Sequence, residues 1–204
     1  MENLFENNQV TLVGEVVTDF QFSHEVFGEG FYTFEVAIER TSSFVDYIPV
    51  MVSERLIDVK ADIRGELVFV NGQYRSFNKH EEDKNRLVLT AFALEIEVLD
   101  SNDYERVNNI FLNGYVCKEP TYRKTPLGRE ITELIVAVNR GYGKSDYIPC
   151  ILWGRNARYG ATFDVGTEVK LHGRVQSRPY SKKISDTEVE DRVAYEVSVS
   201  KIEL

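Results

Sequence analysis

The residues best suited to chemistry in this chain are aromatics and cations. In the segment Tyr147-Ile148-Pro149-Cys150-Ile151-Leu152-Trp153, Tyr147 and Trp153 stand six apart. That even spacing puts both on one face of an extended strand. Ile148, Cys150 and Leu152 take the opposite face and are expected to fill a core, which leaves Tyr147 and Trp153 as an outward platform. Cations crowd the neighbouring segments. Arg123, Lys124 and Arg129 come first, then Arg140 and Lys144, then Arg155. Arg174, Arg178, Lys182 and Lys183 follow, with Tyr180 among them. Solubility alone explains any one of these cations. Their interleaving with aromatics points to a ligand, because flat faces stack bases while cations follow phosphates. Tyr142 and Tyr122 are further candidates, whereas Tyr159 fits helix packing or an intersubunit contact better.

Catalytic constellations are missing from the sequence. His24, His80 and His172 lie in separate segments, without HxxxH or HExxH spacing. Cys117 and Cys150 form no CxxC and are too few for a disulfide framework, so neither zinc nor an oxidising compartment is expected. Gly141-Tyr142-Gly143-Lys144 is too short for a phosphate-cradling loop and reads as a glycine turn. No cofactor and no enzymatic activity are expected.

The elements that position these residues show as a repeat. With a shift of 100, residues 10–55 meet 110–155 without a gap, and 12 of the 46 positions are identical. Asp46-Tyr47-Ile48-Pro49 recurs whole as Asp146-Tyr147-Ile148-Pro149, and Arg40 meets Arg140. Further on, Gly65 and Gly72 match Gly166 and Gly173 with a slip of one, and Arg86 to Val98 tracks Arg192 to Leu204. Apolar residues alternate with period two, as in Phe34, Val36, Ile38 and in Leu134, Val136, Val138, which is the pattern of half-buried strands. Five strands per copy are expected. In the first copy they fall near 10–17, 31–40, 46–53, 66–73 and 86–98, and in the second near 110–117, 130–140, 146–153, 167–175 and 192–203. One short helix is expected between strands three and four of each, at Glu54–Ile63 and near Arg155–Phe163. The fold class is therefore all-β, two tandem OB-fold five-stranded barrels, with another small barrel or sandwich as the alternative. The domains are expected at 1–104 and 105–204.

The second copy resembles the bacterial single-stranded DNA-binding protein family. The resemblance rests on a succession that starts at Asn109-Ile-Phe-Leu-Asn-Gly-Tyr-Val116 and continues through Glu119-Pro120-Thr-Tyr122. Val136-Ala-Val-Asn139-Arg140, the Tyr147–Trp153 strand, Gly166 to Gly173-Arg174 and Gln176-Ser-Arg178-Pro-Tyr180 complete it. No single motif carries the match. The resemblance implies that Tyr147 and Trp153 stack bases, joined by Tyr180 from the hairpin between strands four and five. It also implies a homodimer presenting four barrels, since the usual member is a single-barrel tetramer. Family members typically continue into a glycine-rich linker and an acidic tip that recruits replication and repair enzymes. With Lys201-Ile202-Glu203-Leu204 as the end, that recruitment is not expected, and a specialised or mobile-element role suits better.

The formal net charge of −9 argues at face value against nucleic acid. It divides unevenly, however, with −12 on residues 1–104 and +3 on 105–204. In the first copy Ser53 stands where Trp153 stands, and Glu29 where Arg129 stands. The acidic run Glu81-Glu82-Asp83 lies opposite Lys182-Lys183, and Tyr47, Arg75, Phe77 and Lys79 are what remains of a platform. The second copy is expected to supply most of the affinity and the first to serve assembly. The expected ligand is single-stranded DNA, in replication, repair or recombination, in a cytoplasmic, nucleoid-associated setting. RNA or an oligosaccharide is a second ligand class. The main alternative is a protein-interaction module like primosomal replication protein. No apolar run is long enough to span a bilayer, and no signal-peptide pattern opens the chain.

Overall fold

The computed structural model describes residues 6–81, 84–101, 103–185 and 189–203, with the backbone alone for 80, 81, 84 and 85. Six strands form the first copy: β1 (Asn8–Val16), β2 (Gln21–Val26), β3 (Glu29–Glu39), β4 (Val45–Ser53), β5 (Leu67–Glu81) and β6 (Lys84–Val98). Six more form the second: β7 (Val107–Val116), β8 (Thr121–Lys124), β9 (Glu130–Arg140), β10 (Lys144–Trp153), β11 (Glu168–Lys183) and β12 (Val189–Glu203). One helix, α1 (Gly154–Gly160), follows β10.

Each copy closes a five-stranded barrel. β1 pairs with β3 and β5 antiparallel, β3 with β4, and β5 with β6. The ring is completed by the parallel pairing of β4 with β6, Val50 opposite Ala91 and Met51 opposite Phe92. The second copy repeats this circuit through β7, β9, β10, β12 and β11, with Ile151 opposite Ser198 in its parallel step. The alternation read from the sequence fills both barrels: Phe34, Val36 and Ile38 are buried, as are Leu134, Val136, Val138, Ile148, Cys150 and Leu152. Each such aliphatic side chain withdrawn from water stabilises the fold by roughly 1.5–3 kcal/mol.

The sixth strand of each copy, β2 or β8, is a short exposed ribbon added at the edge of β3 or β9. Its residues carry little apolar alternation, which is why the sequence pattern predicts only five strands per copy. The last two strands are also longer than predicted. β5–β6 and β11–β12 continue past their barrels as two-stranded arms, and Tyr180 lies within β11, not in a loop. A bulge bends each arm strand at Asn71/Gly72 and His172/Gly173. Both glycines are required there, since an added Cβ would lie 2.0 Å from the Phe92 carbonyl oxygen and 2.1 Å from that of Ser198.

The first copy lacks the predicted helix. Its connection folds as separate turns, with Leu56 N–H bonded to Ser53 O and Ala61 N–H to Asp58 O. Asp58 and Asp62 accept from the backbone N–H of Lys60 and Arg64, a local arrangement that competes with helical bonding. In the second copy Ala157 packs into the barrel and its carbonyl accepts the Thr132 hydroxyl at 2.7 Å.

β1 and β7 pair antiparallel from Asn8 opposite Leu112 to Val13 opposite Val107. That pairing joins the two barrels into one twelve-stranded sheet and covers what would otherwise be two exposed edges.

Candidate nucleic-acid interface

The repeated Asp-Tyr-Ile-Pro segments meet across the join between copies. Asp46 is fully buried and accepts Arg40 Nε at 2.6 Å and Nη2 at 2.5 Å. This hydrogen bond raises the Arg40 pKa. The same carboxylate accepts the backbone N–H of Ser177 at 2.9 Å, and Ser177 Oγ accepts the N–H of Tyr47 at 2.9 Å. The second copy mirrors this: Asp146 accepts Ser76 N–H at 2.9 Å, and Ser76 Oγ accepts Tyr147 N–H at 2.7 Å. Arg140 lies 3.4 Å from Asp146, so this cation is tied to the join as well as to the surface. Each tyrosine of the repeated motif is thus anchored at its backbone by the other copy's arm, while its ring stays about half exposed.

Beside this join lies a groove of about 580 Å³, lined by Trp153, Arg40, Phe44, Arg129, Arg174 and Arg178, and also by Ser198. Trp153 donates its indole N–H to Ser198 Oγ at 3.2 Å, which fixes the ring at the groove. Arg178 Nε lies 3.1 Å from Glu196, and this bond raises the Arg178 pKa. Arg178 also sits 5.9 Å from the centre of the Tyr180 ring. Arg174 is held differently. Burial, with a smaller contribution from the Arg40 charge, lowers its pKa, and its Nε is buried without a hydrogen-bond partner. A guanidinium with a free donor beside a second guanidinium is poised for an anion.

A larger groove of about 890 Å³ runs between the two arms and carries Phe77 of the first copy and Tyr180 of the second, with Lys79, Arg86 and Arg192. A third, of about 310 Å³, carries Arg75, Phe77, Phe92 and Arg140. The remaining predicted residues lie outside these three grooves. Tyr142 stands fully exposed at the tip of a turn with φ 63°. Tyr122 donates to Glu130 at 2.7 Å, a bond that raises its pKa, and Arg123 pairs with Glu133 at 2.7 Å. Lys124, Arg155, Lys182 and Lys183 are exposed on the second copy. Tyr47 and Tyr147 project beside the join. In the acidic run opposite Lys182-Lys183, Glu82 and Asp83 lie outside the described residues. Sequence patterns did not single out Arg40, Phe44 or Phe92 for the site. Arg40 carried a signal, its identity with Arg140, but nothing local indicated that it reaches the second copy's groove.

Known proteins resemble the chain at three levels. The model of the single-strand binding protein family matches residues 107–204. Single-stranded DNA-binding protein B of Bacillus subtilis is 31% identical over 83 residues, which are 37% of this chain and 74% of that protein. Single-stranded DNA-binding protein 2 of Listeria innocua is 33% identical over 94 residues, 41% of this chain. The chain spans only 59% of that relative's length. The crystal structure of the wild-type single-stranded DNA binding protein from Thermus aquaticus superimposes with a TM-score of 0.73 at 21% identity. It covers 96% of this chain and 91% of its own, so the likeness of fold extends over both copies. Shared sequence in the second copy and shared architecture throughout place this chain in the single-strand binding protein family.

Proposed function

We propose that the chain binds single-stranded DNA with little sequence preference, by stacking bases and neutralising phosphates, without chemistry and without a cofactor. One observation carries this reading: the only tryptophan, Trp153, lines a groove with four arginines, Arg40, Arg129, Arg174 and Arg178. Stacking tolerates any base because every base has a flat face, and arginines beside it follow the backbone. The acidic whole-chain charge does not oppose this, because the local field in the groove is cationic. The arms supply a second run of aromatic and basic groups, Phe77, Tyr180, Lys79, Arg86 and Arg192, along which a strand could continue. The first copy, in the neighbourhood of residues 1–104, supports the second by its hydrogen bonds across the join. The chain acts as a homodimer presenting four barrels, in DNA replication, repair or recombination.

Titration of Trp153 fluorescence with oligo-dT tests the binding. Strong quenching that weakens steeply with salt is expected, because bound cations release counterions from the strand. Absence of quenching by any single strand would sink the proposal and favour a protein-interaction module. Light scattering tests the dimer; a monomer at working concentration would refute it.

A further inference from the structure

The first copy has Ser53 where the second has Trp153, which in sequence reads as a lost platform. The structure places an aromatic on the adjacent strand instead. Phe92 faces Gln73 across the arm, as Ser198 faces Arg174, so Phe92 occupies the position of Ser198. In the second copy Trp153 and Ser198 touch through a hydrogen bond. The pair is therefore Trp153 with Ser198 in one barrel and Ser53 with Phe92 in the other, the large and small members exchanged. A second exchange accompanies it. At the two alternate positions after the bulge the second copy has Arg174 and Gln176, the first Gln73 and Arg75.

The exchanged residues form one assembly. The Arg75 guanidinium lies over the Phe92 ring at 3.8 Å. Phe92 stacks with Phe31 at 5.9 Å, and Phe31 with His24 at 5.1 Å and 10° between planes. Arg75 bonds through its side chain to the neutral Gln73, at 2.9 Å from Nη2. Arg75, Phe92 and His24 all border the groove of about 310 Å³ that Arg140 also lines. A guanidinium held over an aromatic ring at the border of a groove is a planar, charged group on which a base can stack.

We infer that the first barrel carries a relocated base-stacking platform, Arg75 backed by Phe92 and Phe31, which takes an unpaired base of the same strand that the second barrel grips. This rests on the functional reading above and removes the expectation that the first copy serves assembly alone.

Binding of an oligo-dT of about 35 nucleotides, long enough for two OB folds at up to about 16 each, tests it. Phe92→Ser and Arg75→Gln, which install the second copy's residues, are each expected to weaken binding by roughly 5-fold or more. Thermal melts check the fold of both, and Arg75→Gln decides if Phe92→Ser does not fold. Photocrosslinking of an oligonucleotide carrying 5-iodouracil, read by peptide mass, is expected to mark residues 67–98 as well as 144–183. If Arg75→Gln binds as tightly as the parent and crosslinks stay within residues 105–204, the relocated platform is refuted. If the parent chain itself neither binds nor quenches, the functional reading fails instead.

Discussion

Asp46 accepts the backbone N–H of Ser177 at 2.9 Å, although 131 residues separate them. The carboxylate is fully buried and neutralised by a two-pronged Arg40 contact, so a charge-assisted bond welds the first copy's third barrel strand to the second copy's arm. Asp46→Ala leaves Arg40 and the Ser177 N–H without their acceptor. It is expected to cost about 2–4 kcal/mol in urea or thermal unfolding. Ser177→Ala removes only the acceptor for Tyr47 N–H and is expected to cost about 1 kcal/mol. Equal effects would show that the ion pair adds nothing beyond an ordinary hydrogen bond.

Ligand binding separates the two copies at the aligned pair Trp153 and Ser53. Trp153→Ala removes the only indole from the four-arginine groove and is expected to weaken oligo-dT binding by about 1–3 kcal/mol in fluorescence anisotropy. Ser53 is buried, donates to Glu29 and offers no ring on which a base can stack, so Ser53→Ala is expected to leave affinity unchanged. Equal losses would refute the division between the copies at this position.

Much of this arrangement is legible in the order of the amino acids. The shift of 100 exposes the repeat, and period-two alternation exposes the barrel strands because one face of each is buried. The outward placement of Tyr147 and Trp153 follows from even spacing alone. The first copy's helix is not decided there, because Asp58 and Asp62 bind their own neighbouring backbone. Nor is the length of the arms, since Arg178 to Lys183 is polar on both faces and carries no period. The repeated Asp46 and Asp146 are conspicuous in sequence, yet their partners Ser177 and Ser76 lie in the opposite copy, beyond any local pattern. Phe92 does fall on Ser198 once Arg86–Val98 is aligned with Arg192–Leu204. Its meaning appears only when the parallel strand pairing puts Phe92 opposite Met51, two residues before Ser53, just as Ser198 stands opposite Ile151, two before Trp153.

Tyr74 offers a test of the core. Its ring is completely buried, its hydroxyl has no hydrogen-bond partner, and burial holds its pKa well above the ordinary value. The second copy has Val175 at the aligned position, with no hydroxyl to satisfy. Removing an unpaired buried hydroxyl while keeping the ring recovers its desolvation cost. Tyr74→Phe is therefore expected to raise stability by about 1 kcal/mol in denaturant unfolding. A loss of similar size would mean that the hydroxyl is bonded in solution.

The two cysteines report opening of the second barrel separately from its surface. Cys117 is exposed, whereas Cys150 is buried in the barrel core and donates to the Ile148 carbonyl at 3.5 Å. Burial raises both thiol pKa values, that of Cys150 far more, so its reactive thiolate is suppressed as well as inaccessible. A thiol reagent at mildly alkaline pH is expected to modify one cysteine per native chain quickly. The second should react only at the rate set by barrel opening. A single strand bound to Trp153 and its arginines stabilises the closed barrel, so saturating oligo-dT is expected to slow Cys150 modification. Cys117 should be little affected. Two equally fast thiols would contradict the buried placement of Cys150. Slowing of both to the same degree would place the bound strand over Cys117 rather than in the groove.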